Sequence, residues 1–360
     1  MSPEIDIRPP FTPCAIGIDS LYVGYFLDGI GIDWDRLRYE KEKLRADPAA
    51  SHAEIALGGE LFALRRGAQR PYSLALSNKA FTLQLGERIA PRRYVQFSSH
   101  LLWTSGLHAA LRRFRAIWDR AGSKQTRRET VSRVDGAFDF EVGAPAFRVE
   151  DFVSQADKDA TWRAHQTPQS FQFGRSDVVC RVYDKVAEIE EQSEKTWLYD
   201  IWGTRKGVWR AEFQVRGDRL KEAGIGTLDQ MQAYLPGLVR HLARHHTSLR
   251  TPSQDTNRSR WPLHPMWRGV IETADQLTKA PERPPPPLRT GSEYRLARQT
   301  RSVFGHLNGI AATLSEGRAA NPVTFEELLG RLGYLLDRYH SPQIWQADVS
   351  AKLRKRALGL

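Results

Sequence analysis

Three stretches of the chain alternate apolar and polar residues with a period of two, and each gathers charge on one side. In Val131–Phe140, Arg133, Asp135, Ala137 and Asp139 share one face, while Val134, Gly136, Phe138 and Phe140 share the other. Around Tyr183, Arg181 and Lys185 fall on its side, against Cys180, Val182 and Asp184. In Val208–Arg216, Arg210, Glu212, Gln214 and Arg216 oppose Trp209, Ala211, Phe213 and Val215. Successive side chains of a strand point to opposite faces, so each stretch is predicted as a strand with one buried and one polar side. Carboxylates are depleted in strands, which marks Asp135, Asp139 and Glu212 for chemistry.

The remaining pattern predicts an α+β protein built on a central antiparallel sheet. Ala15–Phe26 reads as an opening strand, followed by a helix over Asp33–Ala46. Glu60–Leu64, Tyr72–Leu76, Phe81–Leu85 and Tyr94–Phe97 read as short strands separated by Gly, Pro and Asn. Leu107, Ala110, Leu111, Phe114, Ile117 and Trp118 recur at helical spacing within Gly106–Ala121. Phe152 to about Ala164 reads as helical, as does the acidic stretch after Val186. Thr227 caps a helix running towards His246, with Pro236 kinking or dividing it. A further helix spans Pro265–Lys279. Three more cover Ser292–Leu314, Thr324–Tyr339 and Pro342–Leu358, with Thr324 and Glu327 spaced as a capping box. The prolines of 281–290 predict a stiff linker. The expected divisions are a β-rich N-terminal part over 1–94, a catalytic region over 95–280, the linker, and a helical accessory domain over 291–360.

Composition changes this picture in two respects. Lys and Arg total 53 against 42 Asp and Glu, a formal charge of +11, which favours polyanionic partners and nucleic acid first. Two cysteines, Cys14 and Cys180, exclude a disulfide framework and a cysteine-rich zinc site. The chain shows no apolar run of the roughly 20 residues that span a bilayer. Its first residues lack a basic start followed by an apolar core. A cytoplasmic location without a membrane partner is therefore expected.

A tyrosine between two cations on one strand face is a candidate for attack on phosphate. The cations would hold the anion and favour the phenolate, whose pKa is ordinarily about 10. Asp135 and Asp139 lie four residues apart, roughly 13 Å at about 3.3 Å per residue, too far to share one ion unless the strand bulges. One of them with Glu212 from a neighbouring strand is the expected pair. Such an oxygen-rich, histidine-poor set suits Mg²⁺ or Mn²⁺. Arg258, Arg260 and Trp261 form a basic, aromatic segment suited to phosphates and an unpaired base. Gly-x-x-x-x-Gly-Lys-Ser/Thr, Gly-x-Gly-x-x-Gly, His-Glu-x-x-His and Gly-x-Ser-x-Gly are all absent, which removes support for nucleotide hydrolysis, dinucleotide, zinc-protease and serine-hydrolase chemistry.

The order Arg133-x-Asp135-x-Ala-x-Asp139, then Phe173-Gly-x-Ser…Arg181-x-Tyr183-Asp-Lys185-x-x-Glu188, then Trp209-Arg-x-Glu212 resembles the replication initiation factor family over residues 95 to 270. These are rolling-circle initiators of the Rep_trans type, found on bacterial plasmids, phages and integrative elements. The resemblance implies a fold similar to the nicking domains of two-histidine endonucleases, with carboxylates in place of the histidines. It makes Tyr183 the nucleophile that nicks an origin and stays joined to the 5′ end. Glu212 with Asp135 or Asp139 would hold the metal, and Arg181, Lys185, Arg210 and Arg133 would neutralise charge. DNA is the implied partner, contacted also by Arg175, Arg258, Arg260 and Trp261, with a host helicase, a polymerase and a second copy as further expected partners. A conjugative relaxase acting at a transfer origin shares the same chemistry. A non-enzymatic origin-binding protein is the alternative from another class, and would bind DNA equally well without the Tyr183 hydroxyl.

Overall fold

The computed structural model describes residues 11–29, 31–142, 147–164, 166–279, 292–315, 322–339 and 342–358. The linker expected over 281–290 lies outside the described residues. The chain divides into two units, residues 1–286 and 287–360.

In the first unit, β1 (Pro13–Gly29) leads to α1 (Trp34–Ala46). There follow β2 (Ala53–Leu57), β3 (Glu60–Leu64), β4 (Leu74–Ser77), β5 (Phe81–Leu85) and β6 (Arg93–Phe97). Next come α2 (Ser99–Ser105), α3 (Leu107–Arg120) and the long β7 (Ser123–Glu141). β8 (Phe152–Ser154), β9 (Asp159–Ala164), β10 (Thr167–Phe173) and β11 (Val178–Asp184) follow, then α4 (Lys185–Glu188) and α5 (Leu198–Trp202). The unit closes with β12 (Val208–Arg216), α6 (Asp218–Glu222), α7 (Leu228–His245), β13 (Thr247–Leu249) and α8 (Pro265–Thr273). In the second unit, α9 (Ser292–Leu314), α10 (Phe325–Tyr339) and α11 (Pro342–Leu358) match the expected helices. The Thr324–Glu327 box forms: Thr324 N–H donates to Glu327 at 3.0 Å, and Glu327 N–H to Thr324 at 3.3 Å.

Eleven strands form one antiparallel sheet in the order β2-β3-β4-β5-β6-β1-β7-β12-β11-β10-β9. β1 therefore joins the two halves of the sheet, β2 to β6 on one side and β7, β12, β11, β10 and β9 on the other. The tight β2–β3 turn requires Gly58, because its φ of +55° is left-handed and a Cβ there would lie 2.0 Å from the Ile117 carbonyl oxygen. α3, α7 and α8 cover the apolar face. Phe114 of α3 packs at 4.7 Å from Tyr25 and 5.5 Å from Phe97, and Trp267 of α8 at 5.8 Å from Phe213. Burying a side chain such as Phe114 contributes about 1.5–3 kcal/mol over leaving it in water. α7 runs unbroken through Pro236, held by its buried stripe of Leu228, Met231, Leu235, Leu238, Val239 and Leu242. Among the described residues, α2 and α5 lie against the opposite, polar face through Trp103 and Trp202, which bond Asp19 and Asp139, while Arg181 and Tyr183 on that face are only half-buried.

Two expectations are corrected. Residues 152–164 are not helical: β8 pairs with β13, and β9 pairs with β10 at the sheet edge. The alanines and charges of Gln155–Ala160 suit a helix locally, but the free edge of β10 decides the matter. The Tyr183 strand also ends one residue earlier than its alternation suggests. The Asp184 side chain accepts from Val186 N–H and Ala187 N–H and caps α4, so Lys185 is helical.

Candidate active site

The β11–β12 register sets Arg181 opposite Glu212 and Tyr183 opposite Arg210. The β12–β7 register sets Arg210 opposite Asp139, Gln214 opposite Asp135, and Arg216 opposite Arg133. The three polar faces read from sequence thus form one surface.

At its centre the Tyr183 hydroxyl donates to Glu212 Oε2 at 3.0 Å. Arg181 donates to Glu212 Oε1 at 3.2 Å and, through Nε, to Gln172 Oε1 at 3.0 Å. The expected phenolate is not what this arrangement favours. Burial and then the Glu212 carboxylate raise the Tyr183 pKa well above its usual value, against the pull of Arg210. Arg181 spends its charge on Glu212. Lys185 is buried, pairs with Glu188 at 2.5 Å, and lies 5.4 Å from the Tyr183 ring centroid rather than at its oxygen. Tyr183 therefore rests as a phenol with a carboxylate positioned to take its proton.

Beside this pair lies a buried ionic network. Arg210, with 0% exposure, donates Nε and Nη2 to the two oxygens of Asp139 at 2.6 and 2.8 Å, and Nη1 to Asp19 at 2.7 Å. Trp202 Nε1 donates to Asp139 at 2.8 Å. Asp19 also accepts from Ser99 and Trp103 on α2, at 2.8 and 2.9 Å, and from Lys195 at 3.2 Å. Burial alone would raise Asp19, but Arg210, Lys195 and Lys185 outweigh it and hold its carboxyl well below the ordinary range. Two role assignments change as a result. Asp139 is closed to a metal, because the partners on its two oxygens, Arg210 and Trp202, are themselves buried, whereas Arg133 on Asp135 and Arg181 on Glu212 are 25% and 29% exposed and can turn away. Arg210 lies behind Trp103, whose ring centroid is 5.1 Å away, and organises the site instead of meeting a phosphate.

Sequence reasoning missed Asp19. Asp19 stands two residues from Gly17, which pairs with Ala137, and so shares the polar face; the β1–β7 register slips between Ile18 and Ser20 and leaves it as the extra residue of a bulge. A carboxylate inside the β-rich run Ala15–Phe26 was the available signal, the same one that marked Asp135. The contributions of Trp103, Trp202 and Lys195 depend on loop paths that no local pattern records.

Asp135 is the remaining carboxylate beside Glu212. Burial and then Glu212 push its carboxyl up to about 6, although Arg133 binds it through Nε at 2.9 Å and Nη2 at 2.5 Å. That upward shift reflects burial first and the neighbouring Glu212 charge second. Two carboxylates and water fit Mg²⁺ or Mn²⁺ in donor type. Among the described residues no group of three His, Cys, Asp or Glu converges on one point.

The other expected DNA contacts stand apart from Tyr183. Arg175 occupies the turn before β11, eight residues and roughly 26 Å of extended chain away. There it lines an open cavity of about 480 Å³ with Lys158, Arg219 and His246. Arg258 donates to the Glu150 carbonyl at 2.6 Å, Arg260 lies 3.8 Å from Asp255, and Trp261 Nε1 donates to the Asp255 carbonyl at 2.6 Å. These three brace the loop between β13 and α8 and touch none of the residues around Tyr183.

No family model matches this chain, and no curated protein matches it. Among solved structures it is similar to the rolling circle replication initiator protein from Geobacillus stearothermophilus. The identity is 16%, over 74% of this chain and 99% of that one, with a TM-score of 0.42. That overlap is too loose to transfer residue roles. The described residues include no helix long and apolar enough to cross a membrane.

Proposed function

We propose that this protein initiates rolling-circle replication by nicking DNA at an origin through Tyr183. One observation carries the reading: a half-buried tyrosine donates its proton at 3.0 Å to Glu212 on an arginine-bearing, partly open sheet face. Tyr183 Oη attacks the scissile phosphorus while its proton passes to Glu212. The P–Oη bond forms, the P–O3′ bond breaks, and the departing 3′ oxygen takes a proton from water. The 5′ phosphate stays on Tyr183, and the free 3′-OH serves a polymerase. Asp135 and Glu212 would hold Mg²⁺ or Mn²⁺, which supplies Lewis-acid polarisation of the phosphate. Arg181, with 29% of its side chain exposed, is placed to swing from Glu212 to the developing phosphate charge. Lys185 and Arg210 maintain the geometry from behind.

The test is incubation with supercoiled plasmid or a labelled single strand from a mobile element, with Mg²⁺ or Mn²⁺, and a search for a covalent protein–DNA band. Wild type should form the band and Tyr183→Phe should not. Absence of any adduct from wild type, or its persistence in Tyr183→Phe, overturns the assignment. Adduct formation leads equally to a conjugative relaxase; replication from an origin-bearing plasmid, as opposed to transfer, separates the two.

A further inference from the structure

The polar face does not end at Tyr183. Beyond Glu212 it continues over β12, β7, β1 and β6 to a row of aromatic rings. Tyr22 on β1 and Tyr94 on β6 stack with centroids 6.0 Å apart and planes 6° apart, and Tyr72 continues the row at 5.8 Å and 26° from Tyr94. At such spacing parallel rings are offset and part of each stays uncovered. All three tyrosines are half-buried. Arg133 joins the row to the site: its guanidinium carbon lies 5.0 Å from the Tyr22 ring centroid while it binds Asp135.

Three features of this strip point to an anionic polymer with unpaired bases. Arg133 and Arg216 are direct cross-strand partners, an arrangement that like charges destabilise unless an anion lies between them. Asp135 balances Arg133, but Arg216 has no carboxylate partner among the described residues, its Nε donating to the Ser176 carbonyl at 2.8 Å. Gln214, 2% exposed and located between these arginines and Glu212, has an Nε2 with no partner. Its Oε1 faces Arg181 at 3.4 Å. A buried unpaired donor of this kind costs free energy until an acceptor meets it. Finally, the tyrosine rings, with an ordinary pKa of about 10, are neutral at physiological pH and can lie beside a phosphate backbone without repulsion.

Resting on the nicking function above, we infer that a single DNA strand crosses the sheet face from Tyr183, past Gln214, Arg216 and Arg133, to the Tyr22–Tyr94–Tyr72 row. Gln214 and the two arginines meet phosphates, and the tyrosines take unpaired bases. The path crosses four strand spacings, roughly 19 Å, and runs along the strands by the six residues from Arg210 to Arg216, roughly 20 Å, so the diagonal is about 27 Å. Stacking on a row tolerates any base, so this segment anchors the strand without reading its sequence.

Binding is measured by anisotropy with a labelled oligothymidine, without metal and in a Tyr183→Phe background, so that no result depends on cleavage. Tyr22→Leu/Tyr94→Leu should weaken single-strand binding about 10-fold or more, the range for loss of base–aromatic stacking. Affinity for a duplex of equal length should change less than 2-fold. Arg216→Gln should lower the slope of log affinity against log salt by about 0.7. Because Tyr94 also hydrogen-bonds Ser132 at 2.8 Å, Tyr72→Ala at the end of the row is the second variant, and should still weaken binding several-fold in a folded protein. Unchanged single-strand affinity in the tyrosine variants, or equal losses on duplex, overturns the path even where the covalent adduct forms. Single-strand losses without any adduct from wild type would keep the path and sink the nicking reading.

Discussion

Replacing Arg210 by Met tests the buried network directly. The substitution keeps an unbranched chain of similar length but removes the cation that, among the described residues, is bonded to Asp139, which has 0% exposure. Removing one partner of a buried ion pair typically costs about 3–5 kcal/mol, because the other charge is left without compensation. Asp19 retains Lys195, Ser99 and Trp103, so most of the cost falls on Asp139. With a urea m-value of about 3 kcal/mol/M, the midpoint should fall by about 1–1.7 M. A double variant, Arg210→Met/Asp139→Leu, removes both charges and should recover most of the loss, leaving mainly the Trp202 N–H without its acceptor at about 1–3 kcal/mol. A single-variant loss below about 1 kcal/mol, or a double variant worse than the single one, would show that the network does not hold the site together.

Two more outcomes follow from the same geometry. Glu212→Gln keeps the shape but cannot take the Tyr183 proton, so adduct formation should fall by about 10²–10⁴-fold while DNA binding persists, as read by single-turnover cleavage beside anisotropy; unchanged cleavage would deny Glu212 the role of base. Asp135 titrates near 6 in the folded protein against 3.8 unfolded, so its contribution to stability falls as pH rises between those values, by about 3 kcal/mol at 1.36 per unit. In chelator, Asp135→Asn should gain about that much on wild type between pH 4 and pH 7, and parallel urea titrations showing no relative gain would contradict the crowding of Asp135 by Glu212.

Adjacent residues alone determined much of this protein. Strand alternation placed Tyr183, Arg181, Glu212, Asp135 and Arg133 on polar faces, because side-chain direction along a strand needs no knowledge of its neighbours. Period and capping likewise placed α3, α7 and the three C-terminal helices. What the chain could not show locally was register. Which polar residue lies opposite which depends on pairing between segments from about 30 to about 110 residues apart. Pairing decided that Asp139 would be sealed by Arg210 and that Asp135 would remain beside Glu212. It also made Glu212 a proton acceptor for Tyr183, where the local pattern had suggested cations around a phenolate. Asp19 stands at a one-residue bulge, and Tyr22, Tyr94 and Tyr72 came into line only once β1 lay between β6 and β7. The residue types on each face are a property of the sequence; the charge each one meets is set by long-range strand pairing, where burial turns a shift of one position into a different chemistry.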